Sequence, residues 1–252
     1  QSARKKRKSV LKKNKLIMVL TAHQPVYLPW LGLLHKIALA DLFCFFDIVQ
    51  YQRKDFNNRN KINTSNGPIW LTVPVKSSGR LNSVINDIEI IDNDWKKNHL
   101  LSIELNYKKT KYFDQYMPRL REIILSDNKY LSDLNYKILL YAMDAFHIKT
   151  KVVKASNYKF NGMKTDLVLD MCKQLKADKY IFGEQGKNYA DVGAFNKAGV
   201  SVYFQKYKHP IYNQRGKNFV PYMSIVDLLF NEGLGSYNIL MSGNISSLKD
   251  VK

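Results

Sequence analysis

The segment TAHQPVYLPWLGLLHK, residues 21–36, sets His23, Gln24, two prolines, Tyr27 and Trp30 ahead of a helical apolar repeat. A turn from strand to helix needs a cap and at most a glycine, so this concentration of polar and aromatic side chains points to a ligand. His23 can donate a hydrogen bond to an anion or transfer a proton, and Gln24 joins it. Tyr27 and Trp30 can wall a base or sugar, or fill the core beneath the loop. The first turn of the following helix offers free N–H groups and a positive dipole end to phosphate or carboxylate. His35 stands on that helix beside Lys36, where a histidine is more often a satisfied structural group.

Further candidates follow along the chain. Asp47 and Gln50 come just after an apolar run, with Asp47 suited to a ribose hydroxyl, to a metal or to capping the loop. QYQRKDFNNRNKI then gathers Arg53, Lys54, Arg59, Asn60 and Lys61, a donor-rich stretch facing either an anion or solvent. GMKTD supplies Lys164, Thr165 and Asp166, and GEQG supplies Glu184 and Gln185. Both are glycine-flanked but match neither GxxxxGK[ST] nor GxGxxG. KHPIYNQR adds His209, Tyr212 and Arg215. No metal site is expected, because Cys44 and Cys172 are far apart and none of the five histidines has a partner at ligand spacing. Serine-hydrolase order, a GxSxG elbow and HExxH are all missing.

These residues need a frame. MVLTA (18–22) and DLFCFFDIV (41–49) are strand-like, and LGLLHKIALA between them repeats at three and four spacing, so a βαβ unit is expected. It sets HQPVYLPW at the carboxyl end of a strand, where α/β folds bind ligands. SNG and IWLTVPV indicate a hairpin ending near Pro74. Residues 94–148 read as an all-helical insertion, broken at a proline and at SDN. Strands return at about 149–156, at KYIF and at VSVYFQKY, with a helix at about 164–176. Ser224 and Asp227 suggest a capping box before a final helix ending at Gly233. The expected fold is a three-layer, Rossmann-like α/β parallel sheet, formed by residues 18–252 as one domain.

The 252 residues carry a formal charge of +19. Residues 1–17 hold eight Lys or Arg and no acid, and read as a disordered basic arm; the rest keeps 32 basic against 21 acidic residues. Anionic partners are therefore favoured. No run of about 18 apolar residues suggests a membrane span, and the cysteine usage fits a reducing, cytoplasmic setting.

HQPVYLPWLGLLHKIALAD, DIVQYQRKDFNNRNKI, WLTVPV, NDW, GMKTDLVLDMC and HPIY with FVPYMSIVDLLFNEG, in this order over about residues 20–233, together resemble the WbqC-like protein family. The resemblance implies a place in bacterial surface polysaccharide (O-antigen, lipopolysaccharide) biosynthesis. QPVYLPWL followed by a helix and a strand also resembles the opening of HIGH-motif nucleotidylyltransferases, with Tyr27 and Trp30 standing where that motif has its two histidines. The expectation is a transferase or ligase moving an acyl or aminoacyl group onto a nucleotide-linked amino sugar, with ATP or a nucleotide-sugar as the bound nucleotide. In it His23 assists proton transfer, Arg53, Arg59 and Lys61 bind diphosphate, and Asp47 with Gln50 orients sugar or ribose. The alternative is a non-catalytic protein binding nucleic acid or an anionic membrane. No helix-turn-helix, RRM or zinc-finger pattern supports the nucleic-acid branch.

Overall fold

The computed structural model describes residues 17–76, 83–216 and 218–248. The expected basic arm lies outside the described residues, apart from Ile17.

Five short strands, β1 (Val19–His23), β2 (Leu42–Phe45), β5 (Lys151–Lys154), β6 (Lys179–Phe182) and β7 (Ser201–Phe204), form a parallel sheet in the order β5-β2-β1-β6-β7. Helix α1 (Leu31–Ala38) links β1 to β2. From β1 the chain builds toward β2 and β5, then returns to the other side of β1 for β6 and β7. The reversal lies between β1 and β6.

Side chains alternate across the strands. Leu20, Ala22, Cys44, Tyr180 and Phe182 meet helices α5 (Thr165–Gln174) and α6 (Val192–Lys197) in one core. On the other face Phe43 and Phe45 join α1 and the helices α2 (Trp95–Tyr107), α3 (Phe113–Leu125), α4 (Leu131–Ala145) and α7 (Ile225–Glu232) in a larger core. A short helix α8 (Ser236–Met241) closes the described chain beside α1. The protein is thus an α/β fold with helices on both faces of its sheet. No described helix is long and apolar enough to cross a membrane.

The hairpin is an antiparallel pair, β3 (Arg59–Ile62) with β4 (Ile69–Thr72), and Pro74 lies just beyond its end. Two local expectations change. Pro118 does not break the helical stretch, because α3 runs through it while Tyr116, Met117, Leu120 and Ile124 stay buried. Only one helical hydrogen bond is lost there; the break expected at SDN falls at 126–130, and the other interruption lies at 108–112.

Ser224 is the N-cap of α7, but the capping box does not form: no side chain caps the helix, and the Ser224 hydroxyl is buried without a partner. Asp227 turns inward, accepting hydrogen bonds from Tyr107 Oη (2.8 Å), Tyr212 Oη (2.7 Å) and Gln214 Nε2 (2.6 Å). Three side-chain donors outcompete the backbone of one helix end. Gly233 ends α7 at φ +55, where a Cβ would strike the Tyr112 ring. This carboxylate ties α2, α7 and the 209–220 segment together. Asp227→Ala should therefore cost about 2–4 kcal/mol by leaving three donors unpaired, seen as a lower urea midpoint with an unchanged slope; an unshifted midpoint contradicts this role.

Candidate active site

The loop from β1 to α1 is held by the segment that follows β2. Asn57 Nδ2 donates to the Pro25 carbonyl (2.8 Å) and Asn60 Nδ2 to that of Leu28 (2.6 Å), while the Tyr27 N–H reaches the Phe56 carbonyl (3.1 Å). Gln24 Nε2 donates to Asp55 (3.1 Å), and the Ile225 N–H to the Pro29 carbonyl (2.9 Å). Asn57 and Asn60 are fully buried, and Asn135 of α4 in turn holds the Asn57 carbonyl. Leu28 adopts φ +45, a left-handed conformation disfavoured for leucine and more so before proline. Burial and the Asn60 amide hold it there.

From this loop a file of rings runs outward. His23 meets Trp30 edge-on at 5.3 Å, Trp30 lies 5.0 Å from Phe56, and Phe56 lies 5.8 Å from Trp70 of β4. The Arg59 guanidinium sits over the Trp70 ring at 4.3 Å and the Lys61 ammonium at 5.6 Å. Arg59 also donates to the Lys54 carbonyl, while its Nε is buried without a partner. Trp70 is 43% exposed. It also forms the lip of a groove of about 590 Å³ between β4 and α2, where Asn93, Asn98 and Ser102 supply polar groups and His99 lies in the wall.

At the inner end of the file, His23 Nδ1 donates to the Gln24 carbonyl at 2.8 Å, because a carbonyl can only accept. Nε2 therefore keeps its lone pair. Burial, reinforced by the Lys36 charge, holds the His23 imidazole down to about 3, so it is neutral at pH 7. Of the two roles the sequence allows, donating to an anion and transferring a proton, only the second has a free ring atom, since Nδ1 is engaged and Nε2 is an acceptor. Lys36 is 5% exposed, and its Nζ donates to the Ala22 carbonyl at 3.1 Å. Burial pulls its ammonium down to about 8.

Several expected site residues are engaged elsewhere. Tyr27 is fully buried and donates to His99 Nδ1 (2.9 Å), so its face belongs to the core and walls no ligand. Asp47 is fully buried, accepting from the Ser156 N–H (2.9 Å) and hydroxyl (2.7 Å). It ties the end of β2 to the turn after β5 rather than reaching toward a ribose. His35 donates through Nε2 to the Ile245 carbonyl and accepts at Nδ1 from Gln205. His209 donates to the Pro210 carbonyl and accepts from the Tyr222 N–H. Each of these histidines uses both ring nitrogens within the fold. Asn60 serves the loop backbone.

Gln50 forms a bridge with Val84, and Arg53 is exposed near Tyr51. Lys164 and Asp166 are exposed at the start of α5, Thr165 donates to the Tyr189 carbonyl, and Glu184 and Gln185 are exposed just after β6. Phe56, Trp70 and Asn57 were not singled out as site residues from sequence. Nor was Lys36, although LGLLHKIA is apolar on every side and leaves a lysine no solvent face. Among the described residues no group of three His, Cys, Asp or Glu is placed to hold a metal.

A buried loop over the carboxyl end of a parallel sheet, with aromatic and cationic side chains leading away from it, is the candidate site of this α/β protein. The family model for the WbqC-like protein family matches residues 24–239, and the chain belongs to that family. It is similar to the uncharacterized protein Rv1507c of Mycobacterium tuberculosis, at 34% identity over 212 residues, covering 83% of this chain and 92% of that protein. No solved structure matches.

Asn60→Ala should cost about 1–3 kcal/mol by stranding the Leu28 carbonyl, lowering the melting temperature by several degrees; an unchanged temperature would remove Asn60 from the loop frame. Because the folded His23 titrates below its ordinary value of 6.5, its contribution is present above pH 6.5 and is lost as pH falls toward about 3. Wild-type stability should drop relative to His23→Gln across that window in denaturant titrations, and parallel curves would contradict a buried neutral imidazole.

Proposed function

We propose that this protein is a cytoplasmic enzyme of bacterial surface-polysaccharide biosynthesis that transfers an acyl or aminoacyl group to a nucleotide-linked amino sugar. The observation that carries this reading is the file His23, Trp30, Phe56 and Trp70, with Arg59 and Lys61 over its outer ring. Rings accept the face of a base or sugar, and guanidinium beside them suits a diphosphate. The reversal of strand order at β1 supports reading the sheet as Rossmann-like and doubly wound, a fold in which ligands bind where the order reverses. The likeness of QPVYLPWL to HIGH-type nucleotidylyltransferases agrees with this fold and does not by itself carry an activity.

In this reading the base stacks on Trp70 at the lip of the groove, Arg59 and Lys61 bind the diphosphate with Arg53 nearby, and the sugar extends inward along the file toward His23. The amine attacks the carbonyl of an activated acyl donor, a thioester or an acyl adenylate made with ATP. The new N–C bond replaces the bond from carbonyl carbon to leaving group, and the amine proton passes to His23 Nε2. Gln24, held by Asp55, orients the sugar beside it.

Calorimetry with ATP and a panel of nucleotide-linked amino sugars tests the assignment. Trp70→Ala should weaken the binding ligand about 5- to 150-fold, the range expected for one lost stacking contact, and Arg59→Ala should weaken it comparably. No nucleotide binding, with salt-sensitive binding of DNA or anionic vesicles instead, would favour the non-catalytic alternative.

A further inference from the structure

The β1–β6 ladder ends at Thr21 and Ile181, two residues earlier than the β1–β2 ladder, which continues to His23 and Phe45. Carbonyls alternate along a strand. Those of Val19 and His23 accept from Asp41 and Phe46 on the β2 side, so that of Ala22 points to the β6 side, where pairing has stopped. Lys36 reaches in from α1 and donates to it, replacing a strand donor. A notch therefore opens between β1 and β6 at the point where the strand order reverses.

Three features of this notch point to an occupant. The Lys36 ammonium carries three N–H bonds, and Ala22 uses one; the other two have no partner among the described residues, and no described carboxylate pairs with it. A buried charge in that condition is costly unless something completes it. His23 lies beside it and contributes no negative charge. Gly183 follows β6, and alternation sets it on the α1 face with Ile181. A Cβ there would meet nothing within 4 Å.

We infer that the notch between β1 and β6 is an anion site in which the buried Lys36 ammonium binds a phosphoryl or carboxylate oxygen of the substrate. For the substrate's identity this rests on the nucleotide-sugar reading; the site itself does not. It differs from the Arg59 and Lys61 cluster in being internal, beside the His23 proton acceptor. A bound anion offsets the Lys36 charge and so makes His23 a stronger base, coupling occupancy to proton acceptance.

Inorganic pyrophosphate and malonate are suitable probes, since neither carries a base or a sugar. Wild-type protein should melt at a higher temperature with one of them, pyrophosphate assigning phosphoryl and malonate carboxylate. Lys36→Met keeps the side-chain length without the charge; it removes a buried charge and strands the Ala22 carbonyl, so it should fold and should bind the probe about tenfold or more weakly. Gly183→Val should fold, because φ −66 suits any side chain, and should lose the response by filling the notch. The inference is overturned if neither anion stabilises wild type or if both variants keep the response. Pyrophosphate binding without binding of any nucleotide would leave the notch standing and sink the nucleotide-sugar reading.

Discussion

The amide groups of Asn57 and Asn60 fix the loop on which everything else depends. A stretch with prolines at 25 and 29 cannot supply a regular ladder of N–H donors, so its carbonyls need partners from elsewhere. Those partners come from the strand region about 30 residues on, and the two segments form one body. Trp30 is thereby held against Phe56, and His23 against Trp30. A leucine kept at φ +45 before a proline belongs with these contacts, since strain of that kind persists only where surrounding bonds over-determine it.

The central sheet supplies the second constraint. Parallel strands carry helices on both faces, and where the chain reverses its direction of winding, two neighbouring strands part. The buried lysine on α1 follows from this. Its helix has no solvent face, and the unpaired Ala22 carbonyl offers an acceptor within reach. Gly183, just past the end of β6, adds no side chain there.

Much of the frame was readable before any coordinates. The βαβ opening, the hairpin and the return of strands near 151, 179 and 201 follow from period-two and period-three-to-four patterns. What escaped depended on competition between distant groups. Asp227 reads as a capping residue until Tyr107, Tyr212 and Gln214, from other parts of the chain, claim its carboxylate. Asp47 sits at the functional end of a strand, yet Ser156, over a hundred residues later, accounts for both its oxygens. Tyr27 and His209 could serve a ligand by type, and only their partners reveal that they are internal struts, whereas the helical position of His35 already favoured a structural role. Conversely Trp70 looked like an ordinary strand residue, because nothing local reveals that Arg59 will lie across its ring. Tripartite polar contacts of long sequence separation leave no periodic trace.

The two faces of the sheet are also chemically distinguishable through sulfur. Cys44 and Cys172 are free, buried and share the smaller core against α5 and α6, where burial pushes both thiols up to about 12. Almost no thiolate exists near neutral pH, and none of it is reachable while that layer is closed. Reaction with a thiol reagent must therefore wait for α5 and α6 to lift from the sheet, so the native chain carries its own clock for the opening of one layer.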